Sequence, residues 1–316
     1  MAEWLVEQGI GEERAVLVEG GEILAAKIDW PGSLASGLVE DAVLISRTSA
    51  SSRGTARFSN GELALVDSLP RDASEGKALR LLVTRPAIFE NSRAKLAQAR
   101  PTTDEPRLAP RLAEVLDARL VRHFDGWDEL WADAYSGTYE FAGGQLQFTV
   151  CPAFTAIDID GHLPARELAL AAVPALAQSI RQFNLGGSVV IDFPTLSAKA
   201  DRQAVDSALA EALASWPHER TAMNGFGLVQ LVARLERPSL LDCMMRWPDA
   251  AVRLLLRRAE QVTEPGSLLL TAHPRIKAAM WSEWESELAR RTGRLIAWKL
   301  DETLAPNAAF AQAVPL

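Results

Sequence analysis

The sequence predicts a multidomain α/β (α+β) protein in which short strands suited to a small barrel or sandwich come first and alternating strands and helices follow. Three observations carry this. Within the first hundred residues, apolar runs flank Gly20-Gly21 and again Asn60-Gly61, both hairpin signals. Further on, "FTAIDI" and "SVVIDF" enclose the helical stretch "ARELALAAVPALAQSIRQF", a strand, helix and strand within about forty residues. Between the two textures, "RPTTDEP" (Arg100 to Pro106) holds two prolines and no apolar residue, a linker signal.

Taken in order, "RAVLVEGGEILAAKI", "LVEDAVLIS", "GTARFSNGELALV" and "ALRLLVTR" read as the strands of the first region. Past the linker, "RLAPRLAEVLDARLVRHF" has helical spacing, and "TYEFAGGQLQFTV" predicts a hairpin turning at Gly143-Gly144. The long helix should kink at Pro174 and stop at "NLGG". "SVVIDF" is a continuous β-branched run of the kind buried on both faces of a sheet, parallel to "FTAIDI" and reached by a right-handed crossover. From Trp247 on, helices "PDAAVRLLLRRAEQV" and "PRIKAAMWSEWESELARRTG" alternate with strands "SLLLTA" and "RLIAWKL", Gly293 stands where a helix C-terminus needs it, and Trp281 and Trp284 are expected to be buried.

At 316 residues with 48% hydrophobic side chains, the chain is long enough for about two domains with real cores. No apolar run approaches the roughly 20 residues that span a bilayer, and the start lacks a basic segment followed by an apolar one, so neither membrane insertion nor export is expected. Cys151 and Cys243 stand far apart with no histidine at ligand spacing, so neither disulfides nor zinc are expected, and a cytoplasmic setting follows. A net charge of −8 argues against coating nucleic acid through overall charge. From Arg85 to Arg111 the sign reverses mildly, with Arg85, Arg93, Lys95, Arg100, Arg107 and Arg111 against Glu90, Asp104 and Glu105; this reads as a solvated linker and helix face.

In a parallel pair, Asp158 and Asp192 emerge at the same carboxyl edge, where open α/β sheets bind ligands. Two converging carboxylates repel unless a cation sits between them, and hard oxygen donors suit magnesium or manganese. Asp160, two residues on, points to the same side and could enlarge the site. An aspartate after an apolar strand also serves as a turn former or helix N-cap, and the pattern alone leaves both readings open.

The segments "FTAIDIDG…NLGGSVVIDF", "RQAVDSALAEAL" and "NGFGLVQLVARLERPSL" together resemble the catalytic core of the ribonuclease E/G family, whose members carry "LTAIDxNSG", "DxGGxIVIDFIDM", an "RxxV" helix start and "RFGLxExxRxRxxPSL" in this order. The resemblance runs over about ninety residues, preceded by a hairpin similar to the family's "LPSGGxIVIDxTEALTAID". It implies a ribonuclease-H-like lobe at 1–33 and 107–149, an inserted OB-fold-like RNA-binding module at 34–100, a catalytic metal-binding domain at 150–242 and a small C-terminal α/β domain at 243–316. It further implies a magnesium-dependent endoribonuclease acting on single-stranded RNA, with Asp158 and Asp192 as metal ligands and Asp160 where the family has asparagine. Lys199 and Arg202 near the next helix start are candidates for RNA phosphates, and Phe58, Arg57 and Arg47 in the presumed OB-fold for stacking or pairing. His162 has no counterpart and reads as a loop residue.

Departures from the pattern sharpen the expectations. Gly225 replaces the arginine of "RFG", removing a phosphate contact. Cys243 alone cannot form the family's paired-cysteine zinc link, so a homo-oligomer is compatible with the sequence but not through zinc, and there is no room for the family's separate 5′-monophosphate-sensing domain. Two alternatives stand beside the nuclease: an RNA-binding protein of the same fold whose turnover is attenuated through Asp160 and Gly225, and a metal-dependent phosphoesterase for a small substrate, which the acidic charge favours.

Overall fold

The computed structural model describes residues 1–89 and 94–315. Glu90 and Arg93 of the basic stretch lie outside the described residues. The chain opens with β1 (Glu3–Gly9), β2 (Glu12–Glu19) and β3 (Glu22–Asp29), paired antiparallel in sequence order. Gly20 and Gly21, with φ of 61° and 88°, form the β2–β3 turn in the left-handed region that a Cβ disfavours.

Next comes a closed five-stranded barrel. It is made of β4 (Val39–Arg47), β5 (Gly54–Arg57), β6 (Leu63–Val66), β7 (Ala78–Arg85) and, beyond the ribbon of β8 (Ile88–Phe89) and β9 (Ala94–Lys95), β10 (Ala97–Pro101). β10 closes it by pairing parallel with β6 and antiparallel with β7. Ala56, Ala64 and Ala97 alternate inside with Leu44, Phe58 and Leu81, the mixture of small and large that fills a narrow barrel. Arg100 and Pro101 belong to β10, so the irregular segment is shorter than "RPTTDEP"; Pro101 ends the strand, where its missing N–H is tolerated.

The stretch "RLAPRLAEVLDARLVRHF", whose spacing is helical, forms only the short α1 (Leu112–Leu116), followed by β11 (Arg119–Val121). Asp117 takes the left-handed conformation (φ 47°) and stops the helix, and β11 pairs in parallel with the edge of β1. Ladder hydrogen bonds at that edge override the local helical pattern.

After α2 (Trp127–Ser136), the central sheet uses β12 (Thr138–Phe141), β13 (Gly144–Val150), β14 (Thr155–Gly161), β15 (Gly187–Asp192), β16 (His218–Arg220) and β17 (Leu228–Ala233), with α3 (Ala165–Gln182) joining β14 to β15 and α4 (Lys199–Ala212) following β15. Spatial order is β12-β13-β14-β15-β17-β16, and the β14–β15 pair is parallel as its crossover predicts. The β12–β13 hairpin turns through Gly143, α3 runs on through Pro174, and Asn184 in the left-handed region follows its end. β15 is not buried on both faces. Val189 and Ile191 join α3 and α4 in the core while Ser188 and Asp192 are exposed, because both helices pack on one side of the sheet.

The remainder contains α5 (Leu240–Met244), α6 (Trp247–Glu260), β18 (Ser267–Ala272), α7 (Pro274–Ala278), α8 (Ser282–Thr292), β19 (Ile296–Leu300) and β20 (Phe310–Val314), with strand order β19-β18-β20. Trp281, extended at φ −82° and ψ 145°, divides the expected second helix into α7 and α8. It is 56% exposed rather than buried, stacked at 4.8 Å on Trp284, which in turn lies against the Arg253 guanidinium. β20 carries no strong strand pattern and is held by pairing with β18.

One apolar cluster runs from Val16 and Ile28 through Trp127, Leu176 and Ile191 to Leu255, Leu270 and Leu288; the barrel has its own. Among the described residues no helix is long and apolar enough to cross a membrane.

Candidate active site

The open face of the central sheet carries the carboxylates. Asp158 of β14 stands in register with Asp192 of β15, so their Cα atoms are adjacent across a parallel pair, about 4.8 Å by strand geometry. On the other flank, Asp158 faces Gln147 and Asp160 faces Gln145 of β13. Residues 158, 160 and 192 therefore project to one face, while Ile157, Ile159 and Ile191 between them enter the core.

Among the described residues nothing cationic answers this charge. The one hydrogen bond to the three carboxylates is the Ile159 N–H donating to Asp158 Oδ1 at 3.0 Å, and none of the three is in an ion pair among the described residues. Asp158 is held above the ordinary carboxyl range by partial burial and by the charges of Asp160 and Asp192, against the lowering effect of the Ile159 N–H. A divalent cation fits these donors: hard, anionic oxygens, unpaired and partly solvated. Among the described residues no group of three or more acidic, histidine or cysteine side chains is arranged to hold a metal. Asp160 therefore does not enlarge the site into a three-ligand set, and Asp158 with Asp192 would leave further coordination positions to water or a ligand phosphate, as magnesium prefers.

Gly161 is explained by packing. A Cβ there would strike the Leu168 side chain and the Gly143 carbonyl, so the strand ends against the β12–β13 turn with no room for a larger residue.

Beyond Asp192 the backbone is braced from α4. Arg202 donates to the carbonyls of Leu196 and Ser197, which fixes the loop leaving the site. That employment of Nη1 makes Arg202 a loop brace, and its Nε and Nη2 have no partner among the described residues. Lys199, exposed at the first position of α4, has no partner among the described residues. Asp206 of α4 accepts from Arg220 at 2.9 Å and from the Met223 N–H at 3.1 Å, anchoring the segment that precedes the turn 224–227. Within the turn, the Asn224 side chain accepts from the N–H groups of Phe226 (2.8 Å) and Leu228 (3.1 Å), and Phe193, next to Asp192, donates its N–H to Gly227 O.

This turn, which leads into Leu228 in register with Asp192, presents Phe226, 80% exposed. Sequence reasoning noted Gly225 here and passed over its neighbour. The signal was available: an aromatic between two glycines has no periodic apolar partner to pack with. Gly225 itself stands in open space. His162 is exposed just past β14 and meets the turn only through its backbone N–H to Gly143 O.

The barrel candidates divide. Phe58 is 3% exposed within the barrel core, so its ring cannot serve as a stacking surface. Arg47 donates Nη1 to the carbonyls of Arg71 and Ala73, and its Nε and Nη2 have no partner among the described residues. Arg57, exposed at the end of β5, is without a partner among the described residues. At the far end of the motif region, "RPSL" is structural: Ser239 caps α5 with Asp242 in a reciprocal box, and Arg237 pairs with Asp29 of β3.

Residues 39–234 match the sequence model described as the Ribonuclease E/G family, an interval containing the barrel, the carboxylates and the Phe226 turn. The chain is similar to ribonuclease G of Salmonella typhimurium (strain SL1344), 26% identical over 203 residues, and to ribonuclease G of Escherichia coli (strain K12), 27% identical over 194 residues. In each case the match covers 57% of this chain and 38% of the relative, so the chain spans about two fifths of the length of these relatives.

Proposed function

Since the chain belongs to the ribonuclease E/G family, we propose that it is a magnesium-dependent endoribonuclease cleaving single-stranded RNA at the face formed by Asp158 and Asp192. The observation that carries this reading is the register pairing of two aspartates with no cationic partner among the described residues. Asp158 and Asp192 would hold the ion through their carboxylate oxygens. Bound there, magnesium or manganese supplies charge neutralisation at the scissile phosphate and a water of lowered pKa. Phe226 offers a π-face for a base flanking that phosphate, Lys199 a cation for the adjoining one, and Arg57 a further contact along the barrel. The open sheet face leaves room for an extended strand.

The partition into a ribonuclease-H-like lobe (1–33 and 107–149), an OB-fold-like module (34–100), a catalytic domain (150–242) and a C-terminal α/β domain (243–316) belongs to the same proposal, as does a cytoplasmic setting. A second reading has one specific observation behind it. Asp160 adds a third anion to the face and raises the cost of bringing phosphate to it, which favours an RNA-binding protein with attenuated turnover.

The test is cleavage of a labelled AU-rich single-stranded RNA, with and without magnesium, by the wild type and by Asp192→Asn. The nuclease reading predicts magnesium-dependent cuts that EDTA abolishes and that Asp192→Asn reduces by about 100-fold or more, the scale of a lost metal ligand worth several kcal/mol. Tight binding without cuts in either protein transfers the assignment to the binding-only reading, and Asp160→Asn should then restore cleavage.

A further inference from the structure

A cavity lies away from the central sheet. It has a volume of about 1010 Å³ and is walled by the ends of β1 and β11, the C-terminal ends of α6 and α8, and the segments after them. None of its lining residues lies in the carboxylate-bearing sheet. Five arginines (Arg14, Arg122, Arg257, Arg291 and Arg294) line it against two glutamates, in a chain whose net charge is −8.

Three of those arginines have structural employment. Arg14 and Arg257 share Glu7, and Arg291 meets Glu260 and Glu287. The two helix C-termini absorb part of the positive field as well. Two arginines remain in surplus. Arg122 is exposed with no partner among the described residues, and Arg294 has a buried Nη1 with no hydrogen-bond partner. His123 at the cavity wall has Arg257, Gln261 and Glu7 within hydrogen-bond distance of Nδ1 and Asp125 within 3.1 Å of Nε2.

We infer that this cleft is an anion site for phosphate groups, those of a free nucleotide or of an RNA backbone. A buried donor without a partner costs free energy, and the arrangement persists more readily if a ligand satisfies it. Guanidinium forks match phosphate oxygens two at a time, which distinguishes the site from a general basic surface. The cavity is at the upper end of small-ligand pockets and is wide enough for a ligand with more than one anionic group. The inference does not depend on metal chemistry at Asp158 and Asp192.

Two probes distinguish the sources, each in EDTA so that nothing is cleaved: fluorescent ADP, and a fluorescent, 5′-hydroxyl oligoadenylate of about ten nucleotides. Binding is measured for the wild type, Arg122→Ala/Arg294→Ala and Asp192→Asn. The expected result is a loss of tenfold or more in affinity in the double variant, a salt slope shallower by about 2 for the oligonucleotide, and no loss in Asp192→Asn. Loss of ADP affinity assigns a nucleotide; loss confined to the oligonucleotide assigns the RNA backbone. If the wild type binds neither probe, or the double variant binds both within twofold of it, the inference is wrong. Should the double variant lose its melting transition, Arg122→Glu, on an exposed side chain, carries the same test. Because cleavage is not the readout, a failure here is distinguishable from a failure of the nuclease reading.

Discussion

Asp158 is the residue at which stability and the proposed chemistry oppose each other. Its carboxyl is pushed up by burial and by Asp160 and Asp192, so the folded pKa lies above the unfolded one. Such a group favours the fold below its unfolded pKa and costs stability as pH rises through its folded pKa, so at pH 7 the cost is present. Asp158→Asn should therefore raise the melting temperature of the metal-free protein at pH 7, with the gain shrinking at pH 4, while cleavage falls by about 100-fold or more. A lower melting temperature at pH 7 would contradict the repulsion described. Phe226 makes the converse case. Its ring is 80% exposed, so Phe226→Ala should leave the melting temperature unchanged and weaken single-stranded RNA by about tenfold, from stacking worth roughly 1–3 kcal/mol per base. Equal loss of stability and binding would make it a packing residue.

At the scale of elements, the turn 224–227 and the strand ends it abuts hold the candidate site in shape. Gly227 takes φ 93°, and a Cβ there would be driven into the Phe193 carbonyl, whereas Gly225 has nothing near it. Gly227→Ala should cost roughly 1–3 kcal/mol in denaturant unfolding and reduce cleavage; Gly225→Ala should stay within about 0.5 kcal/mol. The same elements explain what could be read in advance. Two apolar runs ending in aspartate, joined by a helix, determine a parallel pair and hence the meeting of Asp158 with Asp192. The one-sided burial of β15 was hidden because Val190 is apolar yet on the open face, so the run looked continuous. β11 and the break at Trp281 were hidden for a different reason: each depends on a partner distant in sequence, β1 for the first and the α6 arginine Arg253, through Trp284, for the neighbourhood of the second. Phe58 could be read in advance either as barrel core, the commoner case, or as a stacking ring, because a lone aromatic in a small barrel gives no sign of which way it faces, and the core reading holds.

Across the whole molecule, Glu7 ties the first sheet to α6. It is 2% exposed and accepts from Arg14 (2.9 Å), from Arg257 (2.9 Å) and from the Phe124 N–H (2.8 Å). Burial alone would raise its pKa, but the Arg257 hydrogen bond, the charges of Arg14 and Arg257 and the Phe124 N–H outweigh it and the carboxyl sits below its usual range. The sign is thus opposite to that of Asp158: stability is present above the unfolded pKa and is lost as pH falls through the folded pKa. Glu7→Gln should cost about 3–5 kcal/mol at pH 7, the scale of a broken buried pair, and less at pH 3, as read from urea unfolding. An unchanged midpoint would remove Glu7 from the junction. This junction and the arginine cleft above it were not legible in the sequence, since positions 7, 122, 257 and 294 share no motif and meet only through the fold.

The central claim, that Asp158 and Asp192 form a cation site, is tested most directly by titrating manganese into the protein and following free ion by electron paramagnetic resonance. The account predicts one bound ion per chain in the wild type, displaced by magnesium, and affinity reduced at least tenfold in both Asp158→Asn and Asp192→Asn. Binding of the same strength in either variant would contradict it.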